Sequence, residues 1–218
     1  MSAKQSSVGA PDAHQLSSNV DQGWSDGRKD RRDKNRLAAL DAALELFAEN
    51  IDPSPEAVAA RSGLSLRSIY RYFSDRDGLM LAAIERQNEV ARPMLRIHGF
   101  GLGDLELRID RFVHARMALY EAMGGTGRAA RLWVYRNSDI KNNLALTRDI
   151  LHDQVAGQFA QEFAAMSRKS RNARLAAIDA LCQFESIDNY RIHRAHTLAA
   201  TRTMLIDALH DLLTITDS

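Results

Sequence analysis

The segment spanning residues 54–79, SPEAVAARSGLSLRSIYRYFSDRDGL, allows very few folds. Ser54 before Pro55 and Glu56 is a helix start: a hydroxyl to accept an early backbone N–H, a proline at the first helical position and an acid in the first turn. Val58 and Ala59 supply apolar contact, and the alanines allow close helix approach. Gly63 is a stop, because glycine takes the left-handed conformation that helix ends often need. Leu64 can then turn inward, and Ser65 caps a second helix over residues 66–72. That helix has only about two turns and is marginal alone, so Ile69 and Phe73, four apart on one face, must hold it by packing. Ser74, with Asp77 three residues on, is expected to cap a third helix. Helix, three-residue turn, helix makes a helix-turn-helix.

With Ile69 and Phe73 buried, Arg67, Ser68, Tyr70 and Arg71 are left near the open side. A helix in the major groove reads base edges with arginine and small hydroxyl residues near its N-terminus. Ser54 and Ser65, with the helix-start amides beside them, suit phosphate oxygens. Tyr70, Tyr72 and Arg76 can add phosphate contacts. Residues 61–76 carry four arginines and one acid. An ordinary helical hairpin with a solvated basic face would share that charge. The caps, the glycine turn and the paired aromatics together favour DNA.

On Val58-Ala59, Gly63-Leu64-Ser65 and Ile69-Tyr70-Arg71-Tyr72-Phe73, followed by Arg76 and Leu79, the chain resembles the TetR family of bacterial transcriptional regulators. The resemblance covers residues 36–84. It implies backbone contacts to DNA from Tyr70, Tyr72 and Arg76. The family usually has histidine at Tyr72 and lysine at Arg76, and both replacements keep a hydrogen-bond donor. It commonly has a glycine and a longer link after its first helix, where this chain has Asn50-Ile51-Asp52-Pro53.

Upstream, Leu37, Leu40, Leu44 and Phe47 recur at helical spacing, predicting a first helix over residues 33–49. Before it, residues 28–36, RKDRRDKNR, hold six basic residues and two acids. They read as an arm for phosphates or the minor groove, or as a charged helix start whose Asp30 and Asp33 pair with nearby arginines. Residues 1–27 are rich in Ser, Gln, Asp and Gly and read as a disordered tail. No apolar run suits a signal peptide or a membrane helix, so a cytoplasmic chain without membrane contact is expected. The single cysteine, Cys182, cannot form an internal disulfide and fits a reducing compartment. A net charge of +1 over 218 residues makes any basic surface local.

The remainder reads as helices, so the expected fold is all-α. A three-helix DNA-binding head (residues 28–92) is followed by a larger ligand-binding and dimerisation bundle (residues 93–218). A long helix over residues 75–92, ended by Pro93, should join the two. Body helices are expected over 104–123, 128–136, 139–166, 173–191 and 194–213, with Gly124-Gly125-Thr126-Gly127 as a break. A pocket between the middle helices would draw on Phe112, Arg116, Leu119, Trp133, Tyr135 and Leu151, with Trp133 and Tyr135 equally suited to a core or an interface. Arg116 falls on the apolar stripe of Phe112 and Leu119. It is either a cation for an anionic ligand group or an arginine whose stem packs while its head reaches water or an acid.

The last two predicted helices are each apolar over more than one face, which suits either a core or a partner. The TetR resemblance implies a four-helix interface with a second subunit, drawing on Ile178, Leu181, Phe184, Leu198, Leu205, Leu209 and Leu212. A two-fold dimer would also suit a palindromic double-stranded operator. His193 and His196 lack the further ligands that a metal site needs. No phosphate-cradling motif or catalytic cluster stands out, so no enzyme and no cofactor is expected. The resulting reading is a TetR-type regulator, a repressor released by an unknown small-molecule effector. Two alternatives stand beside it. One is a DNA-binding regulator without a ligand; the other is a protein–protein interaction module that uses the helix-turn-helix only as scaffold.

Overall fold

The computed structural model describes residues 13–214, with side chains from Gly27 onward. Among these residues the chain is helical, without strands. The first helix, α1 (Ala13–Ala48), is longer than predicted. Residues 1–12 of the expected tail lie outside the described residues, while 13–27 continue the helix. Extending a helix that is already docked adds turns without a new nucleus, which is the costly step. Residues 28–34 are exposed on it.

The head adds α2 (Pro55–Ser62), α3 (Leu66–Phe73) and α4 (Arg76–Ala91). Leu40, Ala43 and Phe47 of α1 meet Val58 of α2, Ile69 and Phe73 of α3, and Leu79 and Ala83 of α4 in one buried cluster. The short link after α1 works because Asn50 takes a left-handed conformation (φ 58°). Ile51 N–H then donates to the Leu46 carbonyl and Asn50 N–H to that of Phe47. This is the pair of closing bonds that glycine usually permits at a helix end. Ser54 and Ser65 cap α2 and α3 as expected, accepting from the N–H groups of Ala57 and Ser68 at 3.2 Å each. Gly63 is left-handed (φ 69°). The cap of α4 is Asp75 instead of Ser74: its carboxylate accepts from Gly78 N–H at 2.7 Å. Ser74 is held at φ 63° and donates its own N–H to Tyr70. The sharp turn from α3 to α4 moves the capping role one residue on.

After α4 a single 3₁₀ turn, Arg92–Leu95, carries Pro93. The body consists of α5 (Leu105–Trp133), α6 (Ser138–Gln158), α7 (Ala160–Ala164), α8 (Arg168–Leu181), α9 (Phe184–Asp188) and α10 (Leu198–Thr214), with a π turn at Asn189–His193. The expected glycine break is one residue wide. Gly124 leaves helical geometry (φ 38°, ψ −128°), and α5 resumes at once. Phe112, Val113, Phe159, Ile178, Leu205 and Leu209 form the centre of the body core.

Three predicted body helices are shorter or broken. Residues 139–166 divide at Phe159, which is buried with φ −115°. Residues 173–191 divide at Cys182 and Gln183, and the last helix starts at Leu198 instead of 194. Head and body meet along α5. Ala129 joins the head cluster, and Trp133 packs against both that cluster and Ile84, Ala130 and Ile140. Gly125 lies so close to the Phe47 carbonyl that a Cβ there would sit 2.0 Å from its oxygen. Only glycine lets the two backbones approach this closely.

Candidate nucleic-acid interface and effector cavity

The residues expected to face DNA divide into free and engaged groups. On α3, Arg67, Tyr70 and Arg71 are exposed, Ser68 is half-buried, and Ile69 and Phe73 are buried behind them. This is the division that the four-residue spacing predicted. Ser65 and Ser68 hydroxyls lie 3.0 Å apart, so the capping serine also orients its neighbour. Arg71 stacks over the Tyr72 ring (5.2 Å) and donates to its hydroxyl at 3.3 Å. Burial pushes the Tyr72 phenol up, but hydrogen bonds from Arg71 and Asn35 and the nearby charges of Arg71 and Arg32 outweigh this and lower it. Asn35 and Arg32 belong to the basic segment, and Arg36 of that segment stacks over Phe73 at 5.5 Å. The end of the basic stretch therefore lies across the C-terminal end of α3.

Arg76 is not a free cation. It makes two bonds to the Asp52 carboxylate, at 2.7 and 2.9 Å, both partners being exposed. Asp52 sits in the short link that replaces the family's glycine-containing one, a contact that the linear sequence did not reveal. Arg61, counted above among the local positive charges, is held by Glu49 (2.8 Å) and Glu45 (3.4 Å), which raise its pKa. Ser54 uses its hydroxyl as the α2 cap.

The body encloses a cavity of about 320 Å³. Ile84, Asn88 and Ala91 of α4 form one wall; Arg116, Leu119, Tyr120 and Met123 of α5 a second; Ile140, Leu144, Thr147 and Leu151 of α6 a third; Cys182, Phe184 and Ile187 close it. Of the six pocket residues expected from the sequence, Arg116, Leu119 and Leu151 line it. Phe112 does not: it is fully buried beneath Arg116, whose guanidinium stacks on its ring at 4.4 Å. Trp133 is spent on the head–body junction, and Tyr135 is 94% exposed just past the end of α5. Aromatic identity suggested a pocket for both, but helix length and angle decide where they point. The α4 wall was missed, because nothing in its pattern separates a cavity-lining face from a packed one.

Arg116 is 3% exposed. It donates to Gln154 Oε1 at 2.7 Å and to the Leu151 carbonyl at 2.8 Å. Burial pushes its pKa down to about 10. Cys182, at the cavity wall, has its thiol pushed up to about 12 by burial. A thiol kept protonated in this way is a poor nucleophile. Arg131, at the rim, is matched by Glu185 at 2.9 Å. Burial works to raise the Glu185 carboxyl, but Arg131 and Arg148 overcome it and hold the group at about 2. Among the described residues no cluster of three metal-ligating side chains occurs, and no helix is long and apolar enough to cross a membrane.

The expected dimer residues need correction. Ile178, Leu205 and Leu209 are fully buried inside the chain's own core and offer nothing to a second subunit. Leu181 and Leu212 pack partly against the same core, and Phe184 closes the cavity and stacks beside Tyr120 at 5.0 Å. Only Leu198, 41% exposed, faces outward. The outer surface of α8 instead combines Ala173, Ala176 and Ala180 with Arg168, Lys169, Arg171 and Asn172 in its first turns, and that of α10 includes Ala199 and Thr203. The large apolar side chains mark the inward faces of these helices.

Residues 39–83 match the sequence model of the family described as bacterial regulatory proteins, tetR family. No curated protein matches the chain. Two solved structures are similar over most of their length. One is a TetR-family transcriptional regulator, described as putative, from Rhodococcus sp.; it is 20% identical, with 83% of this chain and 100% of that one covered at a TM-score of 0.61. The other is the multidrug binding protein EbrR complexed with imidazole; it is 16% identical, with 84% of this chain and 97% of that one covered at a TM-score of 0.54. Residues 39–83 of the helix-turn-helix head thus carry the sequence pattern of the TetR family of bacterial regulatory proteins, and 83% of the chain shares the fold of a TetR-family regulator.

Proposed function

We propose that this protein is a homodimeric repressor that binds a palindromic operator through α3 and lets go when a small molecule fills the body cavity. One observation carries the reading: α4 serves both sites. Its first turn abuts the end of α3, where a Cβ on Gly78 would sit 2.2 Å from the Phe73 carbonyl oxygen. Its last turns form a wall of the cavity through Ile84, Asn88 and Ala91. Gln87 fastens the middle of α4 to the body by donating to the Ala122 carbonyl at 2.7 Å. A ligand that displaces the cavity wall therefore acts on the helix that carries the recognition unit. It shifts the DNA equilibrium only by binding the two head positions unequally. EbrR, which shares the fold, is a multidrug binding protein complexed with imidazole, and that supports a small-molecule effector here.

Direct readout falls to Arg67 and Arg71, with Tyr70 and Tyr72 against the phosphate backbone. Arg32 and Arg36 extend the positive surface from α1. Arg76 adds a phosphate contact only by exchanging Asp52 for the DNA. The test is fluorescence anisotropy on the DNA upstream of the protein's own gene, across a salt series. Binding tighter than to random DNA, steeply salt-dependent, with two subunits per site, is the expected result. A protein whose intact α3 already selects no sequence from random DNA, so that Arg67→Ala and Tyr70→Ala have no binding to remove, would instead be using the helix-turn-helix as scaffold.

A further inference from the structure

We infer that the cavity takes an apolar carboxylate, its acid group bound by Arg116 and its hydrocarbon body by the aliphatic walls of α4 and α6. This rests on the effector reading above and names the ligand's chemistry. Among the described residues no carboxylate lies within 4 Å of the Arg116 guanidinium; its partners are a neutral amide, a backbone carbonyl and the face of Phe112. The carboxylate with some electrostatic hold on it, Asp179, is itself engaged by Gln183 at 2.8 Å and by His152 at 3.4 Å. No cavity-lining residue is acidic. Of the other lining cations, Arg92 is exposed to solvent and Arg131 is already paired with Glu185. An ionised group 3% exposed without a counter-charge is a rare arrangement, because burying a charge is costly unless it is paired.

Two bonds occupy only part of the guanidinium's donor set, and its fork matches a carboxylate. The rest of the wall is mostly aliphatic, with Leu119, Leu144, Ile150 and Leu151 around it, which selects an apolar body. The arrangement also supplies a route to the head. Gln154 accepts from Arg116 and donates to the Leu95 carbonyl at 2.5 Å, in the turn that ends α4. An anion that draws Arg116 toward itself disturbs the bond anchoring that turn.

The experiment titrates octanoate, octanol and octylamine into the full chain by calorimetry, then into the operator complex by anisotropy. Octanoate is expected to bind about ten-fold or more tighter than octanol, the increment of a charge-assisted hydrogen bond, and to release DNA; octylamine should be weakest. Arg116→Gln should abolish the preference for the acid while leaving octanol binding within about two-fold, as expected when only the charge-assisted contact is lost. Arg116→Lys should restore part of it, with helicity and melting checked for each variant. If Arg116→Gln does not fold, Ile150→Trp, which narrows the cavity without touching Arg116, should weaken all three ligands alike. Octanol binding as tightly as octanoate, or an Arg116→Gln profile unchanged from the parent, overturns the inference. If octanol alone releases DNA, the anion is wrong and the effector reading stands. If ligands fill the cavity and none loosens DNA, the effector reading fails as well.

Discussion

Ile69 and Tyr70 are neighbours on α3 with opposite duties, and substitution separates them. Ile69 is 1% exposed in the head core, so Ile69→Ala should cost about 2–5 kcal/mol of stability in urea denaturation. Tyr70 is 43% exposed, so Tyr70→Ala should leave the urea midpoint close to the parent's while weakening operator binding. Arg67→Ala should cost about 1–3 kcal/mol of operator affinity and relax specificity at one base pair, read by anisotropy on mutated sites. Equal effects of both kinds at either position would contradict the division of α3 into two faces. A third residue prediction concerns acid. Glu185 has a depressed carboxyl, at about 2 instead of 4.5, so the stability that it contributes is present above pH 4.5 and fades as pH falls toward 2. Glu185→Gln should flatten that limb of the stability–pH curve, modestly because the side chain is 45% exposed. An acid limb that stays unchanged in Glu185→Gln would remove Glu185 as its source. At this scale the sequence was most legible where local chemistry acts alone, as in Gly63, Ser54, Ser65 and the Ile69–Phe73 face. It was least legible where a residue's partner lies far along the chain, as Asp52 does for Arg76.

Between elements, a polar bridge links the cavity to the head. Tyr120, at the cavity wall, donates to Asp188 at 2.8 Å; Arg128 donates to the same carboxylate oxygen at 2.8 Å and to Asn50 Oδ1 at 2.5 Å. Asn50 closes α1, so α5, the end of α9 and the head share one network. Charged members make such bonds stronger than neutral ones. Arg128→Ala removes the link without touching α3 or the cavity. The expected outcome is little change in operator affinity and in ligand affinity measured separately, but a smaller ratio between operator affinities with and without ligand. The coupling free energy is that ratio, and an undiminished ratio would mean that α4 carries the signal alone. None of these partners was legible in the sequence, since their separations are 60 to 78 residues. Helix ends inside the body were equally hidden. The break at Cys182 carries neither glycine nor proline, and its N–H is satisfied by several preceding carbonyls instead. The Gly124 break was visible because its φ of 38° is one that other residues adopt only under strain.

At the scale of the whole molecule, the apolar pattern of α8 and α10 suited either a core or a partner, the family resemblance pointed to a partner, and the pattern serves mostly as core. A helix apolar on several faces must bury most of them, and the sequence does not rank inward against outward. Burial makes that ranking. Ile178, Leu205 and Leu209 close the body, whereas Ala173, Ala176 and Ala180 of α8 and Leu198, Ala199 and Thr203 of α10 stand outside. Small side chains let helices approach closely, so a second copy of this chain can pack here without deep knobs. Ala176→Arg places a long cation in that contact and leaves the core untouched. In the proposed dimer it should leave a monomer in sedimentation velocity with unchanged helicity. Ile178→Ala, by contrast, should lower the melting temperature through its cavity before it changes assembly. A recognition helix of eight residues reads only a few base pairs, so in the proposed complex specificity comes from two copies reading two half-sites together. The Ala176→Arg monomer should therefore bind operator hardly better than random DNA, and the slope of log affinity against log salt should fall to about half, as the number of neutralised phosphates halves. A monomer retaining the full slope and specificity would mean that one head suffices, and the palindromic reading of the operator would fall with it.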